Sequence, residues 1–157
     1  MGNNEATPIR RILIVESYGN YMKSLSSHLA GLVPPPEILV AADAETAMAR
    51  LQTETADLVI VDSRLRGKMD GFDLCRALRS SESNQHLSII LLLSGHLSLE
   101  RYKGISAGAD LLLHRPVVKE ELLRMIQLLL ESRSEHEGDS HRAATENPPV
   151  RWLRSVS

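Results

Sequence analysis

Scarcity sets the first bounds on this chain. It has one cysteine, Cys75, in 157 residues, which excludes an internal disulfide and a cysteine-based zinc site. That cysteine falls at helical spacing inside Phe72-Asp73-Leu74-Cys75-Arg76-Ala77-Leu78, so it reads as a core position rather than a reactive thiol. No long apolar run occurs. The longest, Leu87 to Leu93 with Ser88 inside it, is strand-sized and far below the ~20 residues of a membrane span. Asn3, Asn4 and Glu5 stand where a signal peptide would need an apolar stretch. Neither charge sign dominates: the formal net charge is −2, which gives no global reason to expect nucleic acid or an acidic membrane as partner. His96 and His114 lack a third ligand at zinc spacing. The expectation is a soluble cytoplasmic protein without nucleic-acid or membrane partners.

What is present is ordinary for a globular domain, with 43% hydrophobic and 24% charged residues and a length suited to one domain with something to spare. Apolar runs alternate with amphipathic stretches, with no internal repeats. Ile12-Leu13-Ile14-Val15 is the first strand. Tyr21, Leu25, Leu29 and Leu32 then recur at helical spacing until Val33-Pro34-Pro35-Pro36 stops the helix. Glu37 to Ala42 reads as an edge strand whose useful apolar positions are Ile38 and Val40, and Asp43 as the N-cap of the helix carrying Ala44, Ala47, Met48 and Leu51. A third strand ends at Asp62, and a third helix covers Gly71 to Arg79. Leu87 to Ser94 and Ala109 to Arg115 are the fourth and fifth strands. Between them Leu97 to Ala107 forms a weaker helix, interrupted by Gly104 at a cost of about 1 kcal/mol relative to alanine. Val117 to about Ser132 is the fifth helix. Five such units predict an α/β fold, a doubly wound parallel sheet with helices on both faces and right-handed crossovers. Residues 1–10 are then an N-terminal extension, 11–132 the domain, and 133–157 a tail expected to be disordered. The tail holds the only tryptophan, Trp152.

The chemistry gathers around Asp62. This acid closes the apolar run Leu58-Val59-Ile60-Val61, and the turn Arg66-Gly67-Lys68-Met69-Asp70-Gly71 follows. A short apolar run bounded by turn signals suits a strand buried on both faces. Its last residue therefore lies at the carboxyl edge of the sheet, where open α/β folds place their chemistry. Other strand ends deliver Glu16 and Ser17, Ser94-Gly95-His96, and His114-Arg115-Pro116 to the same edge. Two carboxylates, a hydroxyl and a guanidinium suit a phosphoryl group: the acid attacks, the hydroxyl donates to a phosphoryl oxygen, and the cation balances charge. A Mg²⁺ held by Glu16 and Asp62 would neutralise most of that charge.

With these residues in place, the segment from Arg11 to about Glu131 resembles the receiver domains of two-component response regulators. The resemblance rests on Ile12-Leu13-Ile14-Val15-Glu16, on Asp57-Leu58-Val59-Ile60-Val61-Asp62, on Met69-Asp70-Gly71-Phe72-Asp73-Leu74, and on Gly108-Ala109-Asp110 followed by Arg115-Pro116. It implies a flavodoxin-like, CheY-like fold and a signalling protein rather than an enzyme. Asp62 would be the phosphoacceptor, Glu16 a metal-site acid, Ser94 the hydroxyl that follows the phosphoryl group, and Arg115 the counterpart of the family's lysine. The backbone carbonyl of Arg64 would be a metal ligand, and Gly95 would keep the pocket open. A histidine kinase or phosphotransfer protein would be the donor. The chain leaves no room for an output domain, so output would pass through a partner. The face of the fourth helix, fifth strand and fifth helix would carry it, or form a homodimer.

The departures from the family pattern are specific. Ser17 stands where a second acid usually touches the metal, Glu16 is one methylene longer than aspartate, and Arg115 is a planar fork rather than a point charge. Arg66 replaces the usual proline after the acceptor, and Leu112 replaces the switch aromatic. Fewer acids against a cation imply weaker Mg²⁺ binding. They also motivate an alternative, a pseudo-receiver acting as a phosphorylation-independent interaction module. An aspartate-nucleophile phosphatase would need an acid two residues beyond Asp62, where Arg64 stands. A flavin carrier would need a phosphate cradle that Glu16-Ser17-Tyr18-Gly19-Asn20 does not offer. Arg64 and Arg66 are open between gating the pocket, contacting a phosphoryl group and plain solvation.

Overall fold

A computed structural model describes residues 9–95 and 98–138. Five strands, β1 (Arg11–Val15), β2 (Glu37–Ala41), β3 (Leu58–Asp62), β4 (Ser88–Leu93) and β5 (Leu111–His114), alternate with five helices, α1 (Gly19–Leu29), α2 (Ala44–Thr53), α3 (Gly71–Ser80), α4 (Ser98–Ala107) and α5 (Lys119–Gly138). The strands pair in parallel in the order β2-β1-β3-β4-β5. This is the doubly wound α/β sheet that the alternation of apolar runs implied.

The central strands are buried along their whole length: every residue of β3 and β4 is inaccessible or nearly so. One face of the sheet packs Ile12, Ile14, Leu58, Ile60, Ile90 and Leu92 against Leu25 and Leu29 of α1 and Leu122 and Ile126 of α5. The other packs Leu13, Val15, Val59, Val61, Ile89 and Leu91 against α2, α3 and Ala107 of α4. Each fully buried Leu, Ile or Val contributes about 1.5–3 kcal/mol of transfer free energy, so these central runs fix the strand register. Cys75 is in the second of these cores, and burial pushes its thiol up to about 12, which leaves it inert.

Local chemistry sets the helix starts. Asp43 accepts the Thr46 amide at 2.7 Å as the N-cap of α2. Asp70 and Asp73 form a reciprocal capping box that starts α3. Gly71 is required there because a β-carbon would stand 2.1 Å from the Asp62 carbonyl oxygen. The turn after β3 thus presses directly against the strand that carries Asp62.

Several sequence expectations shift. On β2 the buried positions are Leu39 and Ala41, and Val40 is exposed; only Ile38 reaches the opposite core. The expected face was half inverted because an edge strand covered by α2 buries its alternate residues there. Helix α1 ends at Leu29, before Leu32. Gly104, expected to weaken α4, is buried, and a β-carbon there would lie 2.6 Å from Leu112 Cδ2. Its cost in propensity permits close helix-to-strand contact. Ile9 lies in the core although it was placed in the N-terminal extension. The tail expected to be disordered from Arg133 begins instead as helix: α5 continues to Gly138, and Arg133 Nη1 donates to the Asp57 carbonyl at 3.2 Å. The rest of that tail, Trp152 included, lies outside the described residues. Among the described residues no helix is long and apolar enough to cross a membrane.

Candidate functional site

The strand order places a switch point at β1: the chain leaves it toward β2 on one side and, later, toward β3 on the other. Crevices form at the carboxyl ends of such neighbours. Glu16 directly follows β1, and Asp62 ends β3, so the topology brings the two acids side by side. Both are buried, at 1% and 4% relative exposure. Arg115, directly after β5, reaches across β4 to meet them. Its Nε donates to Asp62 Oδ2 at 2.6 Å, its Nη2 lies 2.5 Å from the same oxygen, and Nη2 also donates to Glu16 Oε2. One guanidinium therefore bridges both carboxylates, using the fork geometry that a lysine lacks.

The remaining carboxylate oxygens are also occupied. The Tyr18 amide donates to Glu16 Oε1 at 3.0 Å, and the Arg64 amide to Asp62 Oδ1 at 2.6 Å. Burial, the largest influence, pushes the Glu16 carboxyl up to about 7; the charge of Asp62 adds to the rise, while the Tyr18 amide and Arg115 work against it. The donor set is hard oxygen of the kind Mg²⁺ takes. Yet all four carboxylate oxygens already accept protein N–H groups, and among the described residues no cluster of three His, Cys, Asp or Glu could hold a metal. In this arrangement the pocket does not fit a divalent ion.

The other candidates divide. Ser17 is engaged with backbone on both sides. Its hydroxyl donates to the Ala42 carbonyl at 2.8 Å and accepts the Arg66 amide at 2.9 Å, tying the end of β2 to the loop after β3. Ser94 lies one residue beyond β4 at the same edge, exposed and without a hydrogen bond to Asp62. The Gly95 amide donates to Glu100 Oε2 at 2.9 Å, and a β-carbon on Gly95 would meet Glu100 Oε1 at 2.8 Å. The small residue therefore makes room for the first turn of α4 rather than for the pocket. His114 ends β5 and is half-buried, whereas His96 lies outside the described residues. Arg64 contributes its amide, and its side chain is exposed. The Arg66 guanidinium stacks over the Tyr18 ring, 4.9 Å from its centroid.

Sequence reasoning missed the tyrosines. Tyr21 was grouped with the core stripe of the first helix, but it is 51% exposed. The Arg115 guanidinium carbon lies 4.2 Å from its ring centroid. Tyr18 meets Tyr21 edge to face, with centroids 6.4 Å apart. The available signal was position: a helix that starts just after the carboxyl end of β1 has its first turn beside the pocket, so an aromatic there overhangs the site.

Comparison with known proteins agrees with this geometry. Residues 12–127 match the model of the response regulator receiver domain. The chain is 32% identical over 135 residues, 86% of its length, to response regulator MprA of Mycobacterium sp. (strain KMS), of which that stretch is 56%. It is 29% identical over 142 residues to the sensory transduction protein RegX3 of Mycobacterium tuberculosis, covering 89% of this chain and 59% of RegX3. The chain thus spans little more than half the length of these curated relatives. Among solved structures, a CheY-like receiver domain protein from Methanospirillum hungatei JF-1 is similar at 28% identity and a TM-score of 0.71, covering 83% of this chain and all of that one. The chemotaxis response regulator CheY4 of Vibrio cholerae is similar at 26% identity and a TM-score of 0.68, covering 78% and 99%.

Proposed function

Since the chain belongs to the response-regulator receiver domain family, whose members act in two-component signalling, we propose that Asp62 accepts a phosphoryl group from the phosphohistidine of a histidine kinase or phosphotransfer protein. An Asp62 carboxylate oxygen attacks the phosphorus, and the P–N bond breaks with its electron pair leaving on the imidazole, which takes up a proton. The product is an acyl phosphate on Asp62. The observation that carries this reading is the buried Asp62 at the switch point with the Arg115 fork already on its oxygen. Arg115 is the cation that follows the charge from carboxylate to phosphoryl oxygens, and exposed Ser94 supplies a hydroxyl from the end of β4. Receiver domains generally bind Mg²⁺ at their acidic pocket; here Glu16, Asp62 and the Arg64 carbonyl would hold it only where Arg115 leaves the two acids, so the expectation is a weakened dependence on it.

Output passes to a partner through α4, β5 and α5, where Leu99 and Tyr102 of α4 and Val118, just before α5, are exposed, and a homodimer through the same face is part of the proposal. We place this signalling in the cytoplasm, with no nucleic-acid or membrane partner for this domain and no enzymatic turnover of its own. A second reading, the pseudo-receiver, is favoured by one observation: every oxygen of both carboxylates is already hydrogen-bonded. Incubation with a small acyl-phosphate donor, followed by intact-mass measurement with and without Mg²⁺, separates them. The first reading expects an acid-labile phosphoryl mass on wild type and none on Asp62→Asn. No added mass on wild type under either condition overturns it in favour of the second.

A further inference from the structure

The two buried acids, the guanidinium between them and the aromatic ring above it form one closed unit. Glu16 and Asp62 would repel each other if both were ionised in a dry crevice. Family members relieve such repulsion with a divalent ion, but here Arg115 bonds Oε2 of Glu16 and Oδ2 of Asp62. Backbone amides of Tyr18 and Arg64 take the other two oxygens. Arg115 is only 13% exposed, and the face of its guanidinium is covered by Tyr21 at 4.2 Å. A second stack, Arg66 on Tyr18, lies edge-on to the first through the Tyr18–Tyr21 contact. Ser17 ties the Arg66 loop down through its hydroxyl.

The geometry points to Arg115 as the resident cation of the pocket, held by the Tyr21 ring in the space a divalent ion would need, so that the closed pocket excludes metal and Tyr21 is the positioning residue of the latch. This deepens the proposed receiver function but does not depend on phosphoryl transfer occurring. The arginine fork fixes two carboxylates at once, which a hydrated Mg²⁺ could match only by displacing it. The ring stabilises the fork by its quadrupole and by excluding water. Metal then binds only when the latch opens, and a partner touching the exposed Tyr21 edge would control that opening.

The test is a metal titration of the full chain without any phosphodonor, so its outcome is independent of whether Asp62 is ever phosphorylated. Amide signals of ¹⁵N-labelled protein are followed as Mn²⁺ is added, with Mg²⁺ as competitor. Wild type and Tyr21→Phe, which keeps the ring, should show no saturable broadening at Glu16, Asp62 and Arg64. Tyr21→Ala should bring in weak saturable broadening at those amides, because the fork loses its cation–π contact, and Arg115→Ala should saturate at an Mn²⁺ concentration about tenfold lower than Tyr21→Ala. Saturable broadening in wild type that Mg²⁺ reverses, and that Tyr21→Ala leaves unchanged, overturns the proposal. So does an absence of binding in every variant, because Ser17 rather than Arg115 would then account for the lost site. If Arg115→Ala does not fold, wild type and the exposed Tyr21 pair decide the matter.

Discussion

Two arginines close the two ends of this sheet, and they do so on opposite terms. At the amino edge Arg79 donates to the carbonyls of Gly108 (2.7 Å), Gln85 (2.9 Å) and Leu87 (2.5 Å) and to Asp110 Oδ2 (2.7 Å). Asp110 in turn accepts the Ile89 amide at 2.7 Å. Nearly every partner is backbone that needs a donor wherever the fold exists. At the carboxyl edge the Arg115 guanidinium meets, among the described residues, only two carboxylates and a ring. Those partners can change state, because an acid can be protonated or modified and a ring can turn away. The same side chain is a permanent rivet at one end and a releasable latch at the other.

Breaking the latch should cost more than breaking the rivet, but only when both acids are charged. Arg115→Ala leaves two buried carboxylates uncompensated, and a loss of about 3 kcal/mol above about pH 8 is expected from the cost of orphaning a buried pair. Denaturant unfolding should show that loss shrinking toward acid, as Glu16 takes up a proton. Arg79→Ala should cost about 2 kcal/mol, spread over three lost bonds to neutral carbonyls and one part-exposed ion pair to Asp110, with a smaller dependence on pH than the Arg115 variant. Equal pH profiles for the two variants would break the comparison.

The pH dependence of wild type sharpens it further. The folded-state pKa of Glu16 is raised from 4.5 to about 7. The folded chain therefore holds its proton more tightly than the unfolded chain, and this group favours folding fully below its unfolded value. That contribution is lost as pH climbs through the window between 4.5 and about 7 and is gone above it. Glu16→Gln should flatten stability across that window while leaving the Arg79 end untouched. A slope unchanged in Glu16→Gln would mean that Arg115 keeps the acid ionised throughout.

Much of the site was legible because strand ends are legible. Once Leu58-Val59-Ile60-Val61 reads as a buried strand, Asp62 must stand at its carboxyl edge, and the same reasoning delivers Glu16 and Arg115. What the strand pattern cannot carry is side-chain reach. Nothing in the spacing says that Arg115 crosses β4 to touch both acids, or that Ser94 stays clear of them. Tyr21 failed for a related reason: helical periodicity assigns a face but not how far the first turn overhangs the sheet. The Gly108-Ala109-Asp110 motif, read only as an approach to Arg115, also builds the rivet. Gly108 has φ +93° and would drive a β-carbon to within 2.7 Å of Arg79 Cγ.

The smallest effect tests whether the latch end is worn or rebuilt. Read against the family, Ser17 is an acid lost from a metal site; read in the fold, its hydroxyl joins the Ala42 carbonyl to the Arg66 amide. If the residue is only a loss, Ser17→Ala should be neutral, because alanine is as poor a ligand as serine. If the hydroxyl holds the loop that carries Arg66 over Tyr18, the variant should lose about 1 kcal/mol in thermal or denaturant unfolding. Hydrogen exchange should then quicken at Arg66 while the Ile89 amide, bonded to Asp110 at the rivet, keeps its protection. A cost confined in this way to one edge would mean that the carboxyl end traded a metal ligand for a neutral tie, and kept its charge balance inside the chain.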